Sequence, residues 1–259
     1  MHWTRMLVSL LLACLAPLAA QPPVNLEPDT LALQAVSRPQ ESPALSFEAR
    51  GDIFMARKMY REAIEVYSKA TPVTSVVLNK SGIAYHQLAS LDTAKKYYER
   101  SIKLNPKYAE AINNLGTIHY AQKSYRRAIS TYKKALALSP DSASMLSNLG
   151  TAYFARKDYK EAMVCYEKAL SLDPEVFEHR GTTGVLLQER SVGERAKFHY
   201  YLAKTYAKAG RNDLALLYVR KSLEEGFKDR KKYLEEVEFA ELRKVPEFET
   251  LMKLEPRVL

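Results

Sequence analysis

Apolar and polar positions alternate with a helical period along most of the chain. In residues 109–142, apolar side chains recur every three or four residues over two stretches, which predicts two amphipathic helices. Only Gln122–Ser124 separate the two stretches, so the pattern predicts a tight turn between antiparallel helices. Pro140 has no amide hydrogen and cannot continue a helix, so we expect the second helix to end before it.

The same order of residues returns about 34 positions further along the chain. Leu115 and Gly116 coincide with Leu149 and Gly150. The other coinciding pairs are Tyr125 with Tyr159, Ala128 with Ala162, Tyr132 with Tyr166, Ala135 with Ala169, Leu138 with Leu172 and Pro140 with Pro174. A fixed period of this length predicts a solenoid, in which each unit buries its apolar face against its neighbours. Small Gly116 and Ala128 allow the two helices of a unit to approach closely.

This pattern resembles the tetratricopeptide repeat (TPR) family, whose units carry Leu-Gly, aromatic, Ala and Pro residues at these offsets. The resemblance implies an all-α, right-handed α-solenoid of helix-turn-helix units with a C-terminal helical cap. The predicted organisation is a signal peptide at 1–20, a Pro-rich disordered linker at 21–43, and four repeats at 44–74, 75–108, 109–142 and 143–176. The predicted organisation ends with an irregular insertion at 177–195, a fifth TPR-like repeat at 196–229 and capping helices at 230–259.

The first residues read as an export signal. Arg5 precedes an apolar run from Met6 to Leu15, and small residues end at Ala20, which predicts cleavage there. We therefore expect an exported protein, periplasmic or extracellular. An alternative is lipidation of Cys14, which follows Leu-Leu-Ala and would anchor the chain to a membrane.

The charge is unevenly distributed. The net charge is +9, and residues 44–174 hold 20 Lys and Arg against 12 Asp and Glu. Arg126, Arg127, Lys133 and Lys134 fall where the second helix of a unit should face water. Such a surface could attract an acidic peptide, an anionic membrane or a nucleic acid, and it could equally be a solvated cationic face.

No pattern indicates catalysis, a metal or a cofactor. The histidines lack a two-ligand spacing, and His119 lies at a packing offset where other units have an aromatic. Gly181–Gly184 lack the Gly-Lys-Ser/Thr ending of a phosphate loop. Cys165 lies on a predicted second helix, typical of a small packing residue. We predict that the chain is not an enzyme and takes no small-molecule substrate.

The TPR resemblance assigns the concave surface to the first helix of each unit, where positions four and seven residues apart share a face. The candidate peptide-binding groove consists of Asn79, Lys80, His86, Asn113, Asn114, Thr117, Tyr120, Asn148, Thr151 and Phe154. Amide side chains both donate to and accept from a peptide backbone, although Asn at these offsets could instead support repeat stacking. Glu48 and Asp52 replace the Lys with which one TPR subclass grips a terminal carboxylate.

These features predict an exported scaffold that binds a protein or extended peptide within a cell-envelope assembly. One alternative is a lipoprotein subunit of an outer-membrane or pilus assembly machine, which adds peripheral membrane association. Another is a binder of anionic polymer or nucleic acid through the basic convex face, although export argues against nucleic acid.

Overall fold

A computed structural model describes residues 45–178 and 191–253, which belong to one compact unit. All regular structure in these two ranges is helical. The helices are α1 (Phe47–Ala56), α2 (Tyr60–Ser68), α3 (Ser75–Gln87), α4 (Leu91–Leu104), α5 (Ala109–Ala121), α6 (Tyr125–Leu138), α7 (Ala143–Ala155), α8 (Tyr159–Leu172), α9 (Val192–Lys208), α10 (Asn212–Glu224), α11 (Lys231–Glu235) and α12 (Pro246–Met252). Two short 3₁₀ turns, Val237–Phe239 and Leu242–Lys244, lie between the last two helices.

The first ten helices form five antiparallel pairs, and successive pairs pack side by side as in a solenoid. The predicted turn at Gln122–Ser124 and the end of α6 before Pro140 are confirmed. Helix α2 is shorter than the second helices that follow it, since Pro72 comes soon after its last residue.

One turn geometry joins the two helices in every pair. The residue after the C-cap of the first helix has a positive φ, and the next amide donates to a carbonyl five residues earlier, for example Ser124 to His119. This is the Schellman arrangement, which satisfies carbonyls at a helix end. The positive-φ residues are Lys58, Ala89, Lys123, Lys157 and Gly210.

The apolar core is a series of local clusters between neighbouring pairs. Tyr132 packs on Gly116 of its own pair and joins Leu149 and Ala152 of the next. The buried free thiol of Cys165 closes the same cluster, and burial raises its pKa to about 11. The prediction of a packing cysteine is confirmed.

The irregular insertion predicted at 177–195 ends earlier than expected. Residues 192–195 lie in α9, because Ser191 and Glu194 form a capping box that starts the helix there. Before it, Phe177 packs edge-on against Tyr166 and Tyr206, and Glu178 accepts hydrogen bonds from Tyr206 and Tyr218. Residues 179–190, with the Gly-Thr-Thr-Gly stretch, lie outside the described residues.

The C-terminal segment covers the fifth pair. Tyr233, Phe239, Phe248 and Leu251 are buried in one cluster with Leu216 and Leu223 of α10. Phe227 follows Gly226, which has φ +84°, and stacks on Tyr200 with ring centroids 4.5 Å apart. Leu217 of the same helix is 36% exposed and does not belong to this cluster.

Candidate peptide-binding groove

Asparagine side chains connect the first helices of neighbouring pairs. The Asn114 amide Nδ2 donates to Asn79 Oδ1 at 3.0 Å, and Asn148 Nδ2 donates to Asn113 Oδ1 at 3.1 Å. Each bond spans 35 residues, one repeat plus one position. We call these contacts the polar ladder. They tie α3 to α5 and α5 to α7.

We call each contact of the ladder between neighbouring pairs a rung. The first rung joins the first and second pairs, and it is ionic. Lys80 occupies the place of Asn114 one repeat earlier, and its ammonium lies 2.7 Å from both Glu48 and Asp52. Asp52 also accepts a 2.7 Å hydrogen bond from the Tyr67 hydroxyl. Burial, together with that bond, holds the pKa of Tyr67 well above its ordinary value. The acidic first-repeat face is therefore engaged with the second repeat.

Half of the predicted groove residues do not face water. Asn79, Asn113, Asn148, Thr151 and Phe154 are at most 6% exposed. The expectation that the Asn track lines an open groove is wrong for these side chains, because they lie where first helices pack together. A buried amide must be hydrogen-bonded, and the ladder satisfies that requirement. Repeat stacking, the alternative role for these asparagines, is what the geometry shows.

The other predicted residues remain partly accessible. Lys80, His86, Asn114, Thr117 and Tyr120 are half-buried. Asn114 uses one amide hydrogen on Asn79, so its amide keeps a second hydrogen. The Thr117 hydroxyl donates to the Asn114 carbonyl at 2.6 Å and keeps its acceptor lone pairs. These five residues, with half-buried Ile83, form what we call the inner strip.

Phe154 is part of an aromatic cluster with the fifth pair. Its ring meets Phe198 edge-on at 5.2 Å and Tyr159 at 5.3 Å. Tyr201 stacks on Tyr159 at 4.9 Å, and the Lys197 ammonium lies 4.0 Å from the centre of the Tyr159 ring. The sequence pattern missed this cluster, because the insertion displaces the fifth pair from the 34-residue register. Its only signal is the aromatic-rich run Phe198–Tyr201.

The hydrogen bonding of the polar ladder differs at its last rung, between the third and fourth pairs. In the third pair Asn113 Nδ2 donates to Asn114 Oδ1 at 3.4 Å, whereas the fourth pair has Ser147 at the corresponding place. Asn148 Oδ1 is buried there without a hydrogen-bond partner among the described residues. Thr151 donates to the Ser147 carbonyl at 2.9 Å and accepts from the Tyr166 hydroxyl at 3.4 Å.

His86 on α3 and His119 on α5 are both half-buried. Burial lowers the pKa of both His86 and His119, so both rings favour the neutral form. His119 Nδ1 is buried without a hydrogen-bond partner in the part of the chain that the structure covers. No group of three or more His, Cys, Asp or Glu side chains in residues 45–178 and 191–253 could hold a metal ion.

Comparison with protein families identifies the repeat. Tetratricopeptide repeat models match residues 76–108 and 143–176, and a TPR repeat model matches residues 116–156. The chain is a tetratricopeptide repeat protein. A search of curated proteins gives no match to this TPR protein.

Several solved structures are similar to this chain. The Cut9–Hcn1 hetero-tetramer of the APC/C is 21% identical with a TM-score of 0.51, over 76% of this chain and 35% of that chain. A crystal structure of MamA is 24% identical with a TM-score of 0.47, over 68% of this chain and 93% of that one. MamA from Desulfovibrio magneticus RS-1 is 20% identical with a TM-score of 0.48, over 69% of this chain and 92% of that chain. At 21% identity, the similarity to Cut9–Hcn1 shows a shared fold and nothing about function.

Proposed function

We propose that this TPR protein is an exported scaffold that holds an extended segment of a protein partner along the inner strip. The observation that carries the proposal is the arrangement of Asn114, Thr117 and Tyr120. These residues are half-buried, share one face of α5 and stand on a helix fixed to its neighbours by the polar ladder. Rigid placement of hydrogen-bonding groups lowers the entropy lost on binding.

The strip supplies the groups that an extended peptide needs. Asn114 keeps an amide donor and Thr117 an acceptor, while Ile83 and Tyr120 offer apolar surface. Lys80 is neutralised by Glu48 and Asp52, so the strip selects backbone and apolar groups rather than a terminal carboxylate.

Export is the second part of the proposal, and the leader at 1–20 supports it. None of the helices within 45–178 and 191–253 is long and apolar enough to cross a bilayer. We expect a mature chain that begins at or near Gln21, and N-terminal sequencing of the envelope fraction measures it. A mass increase at Cys14 with detergent partitioning would favour the lipoprotein alternative.

The experiment for the groove is a crosslinked pull-down from cell envelopes with three forms of the chain. Thr117→Arg fills the inner strip with a long side chain, and Ser130→Arg makes a matched change on the exposed side of α6. Partners captured by the wild type should be lost by T117R, with affinity at least about tenfold weaker, and kept by S130R. Equal capture by T117R and the wild type would place the binding surface elsewhere.

A further inference from the structure

A basic cleft lies at the edge of the solenoid where the third and fourth pairs meet. Lys123, Ser124, Tyr125, Arg126, Arg127 and Arg156 line it. We call this site the basic cleft, and its volume is about 650 Å³. Four of the six lining side chains are cationic and none is acidic. The cleft is formed by the turn between α5 and α6, the first turn of α6 and the C-cap of α7.

The cations of the cleft are largely uncompensated. Lys123, Arg126 and Arg127 make no ion pair with the residues that the structure describes, and their side chains are exposed. Arg156 is the exception, since its guanidinium Nε lies 3.1 Å from Asp158 Oδ2. Three neighbouring positive charges without a partner repel each other, so an anion held between them would be stabilised.

The other helix pairs show that this charge pattern is not a requirement of the fold. The second helices of the other pairs each carry one acid in their first turn, namely Glu62, Asp92, Glu161 and Asp213. Helix α6 has none and carries Arg126 and Arg127 there instead. Acids stabilise a helix N-terminus and cations oppose its dipole, so the third pair forgoes a stabilising interaction that its neighbours keep.

The surroundings of the cleft indicate the size of its ligand. On one side, Asp92 of the second pair accepts a 3.5 Å hydrogen bond from Gln122, directly before Lys123. On the other side, Asp158 and Glu161 belong to the fourth pair. The positive surface is therefore about one repeat wide and bounded by carboxylates. A long nucleic acid or a flat anionic membrane would meet those carboxylates, whereas a short acidic segment would not.

We propose that the basic cleft binds a short run of Asp or Glu side chains in a protein partner. Planar guanidinium groups pair with carboxylates through two parallel hydrogen bonds, and two arginines in consecutive positions can serve neighbouring carboxylates. The Tyr125 ring of the cleft lies 5.4 Å from the Tyr120 ring of the inner strip, so the two surfaces adjoin. The four cations of the cleft are not part of the inner strip, so this second binding surface uses different side chains from the proposed groove.

The test is fluorescence-anisotropy titration of a labelled hexaglutamate peptide with the full chain. Arg126→Glu with Arg127→Glu should weaken binding at least about tenfold, since it replaces two attractive charges with two repulsive ones. Lys96→Glu with Lys134→Glu makes the same change in net charge at exposed positions away from the cleft and should weaken binding less than about threefold. The R126E/R127E variant should melt no lower than the wild type, because it gives α6 the acidic first turn of its neighbours.

Three outcomes would overturn the proposal. Equal losses in the two double variants would mean that the peptide responds to net charge alone. Saturable binding of short single-stranded DNA or of phosphatidylglycerol vesicles, lost in R126E/R127E while hexaglutamate fails to bind the wild type, would assign the cleft to a nucleic acid or a membrane. No binding of any of these probes by the wild type would remove the site.

Discussion

Each of the first four helix pairs places a glycine under a tyrosine ring. A Cβ atom added to Gly116 would lie 2.6 Å from Tyr132 Cε1, and the other three pairs are as tight or tighter. The fifth pair has Ala203 and Val219 at the corresponding places, both fully buried. A larger residue on one helix is thus matched by a smaller one on the other, which conserves the volume between the helices.

The tyrosine hydroxyls are not equivalent, and this difference predicts opposite effects of one substitution. The Tyr132 hydroxyl is buried without a partner among the described residues, whereas the Tyr67 hydroxyl donates to Asp52 at 2.7 Å. Tyr132→Phe should leave the free energy of unfolding unchanged or raise it by up to about 1 kcal/mol, since it removes an unsatisfied group. Tyr67→Phe should lower it by about 1–2 kcal/mol, since it breaks a hydrogen bond to a carboxylate. Urea denaturation measures both, and a larger loss for Tyr132→Phe would contradict the assignment.

At the scale of the element, the polar ladder determines how successive first helices are held together. Apolar packing alone tolerates small shifts of one helix along another, whereas an amide bond between Asn148 and Asn113 fixes their relative position. The ionic rung of Lys80 with Glu48 performs the same task at a more exposed place, with side chains 27% and 36% exposed. Exposed ion pairs contribute little to stability, so the two kinds of rung should differ in strength.

A pair of double-mutant cycles measures that difference. Asn113→Ala should cost about 1–3 kcal/mol because it leaves the Asn148 amide hydrogen buried without an acceptor. We expect a coupling energy between Asn113→Ala and Asn148→Ala of about 0.5–1.5 kcal/mol, independent of salt. The control cycle combines Lys80→Met with Glu48→Gln. Its coupling energy should be under about 1 kcal/mol and should decrease as salt is added. A null coupling in the asparagine cycle would mean that the ladder does not hold the repeats together.

At the scale of the whole molecule, stability is built from local clusters that need a terminal partner. The largest cluster runs from Phe154 in the fourth pair through the fifth pair to Leu251 in the last helix. Lys204 of α9 adds ion pairs to Glu236 and Glu238 of the C-terminal segment, at 3.0 and 3.3 Å. A solenoid without such a segment exposes the apolar face of its last repeat.

Deletion of residues 230–259 should therefore cause aggregation or a large drop in melting temperature. A point variant makes the test quantitative. Phe239→Ala removes a fully buried ring and should cost about 3–5 kcal/mol, while Val237→Ala changes a residue that is 77% exposed and should cost under about 0.5 kcal/mol. Thermal unfolding of the three variants compares them. A deletion variant that melted like the wild type would show that the segment is an appendage.

The sequence by itself determined the repeat, the helix pairs and the turns between them. These features are local: an amphipathic period specifies a helix, a proline such as Pro140 follows the end of one, and a small residue such as Gly116 allows two helices to approach closely. The start of α9 is also predictable from the sequence, because Ser191 and Glu194 have capping-box spacing. The glycines before it instead indicate an irregular stretch.

The tertiary structure alone decided which polar residues of the first helices remain accessible. Asn113 and Asn114 are neighbours of one type in the sequence, yet one is buried and the other half-buried. Their difference depends on contacts with residues 35 positions away, which no local pattern encodes. The burial of Phe154 depends likewise on Phe198, which lies beyond an insertion that breaks the register. A helical period specifies which face is apolar, but burial of a polar side chain depends on the neighbouring repeat that packs over it.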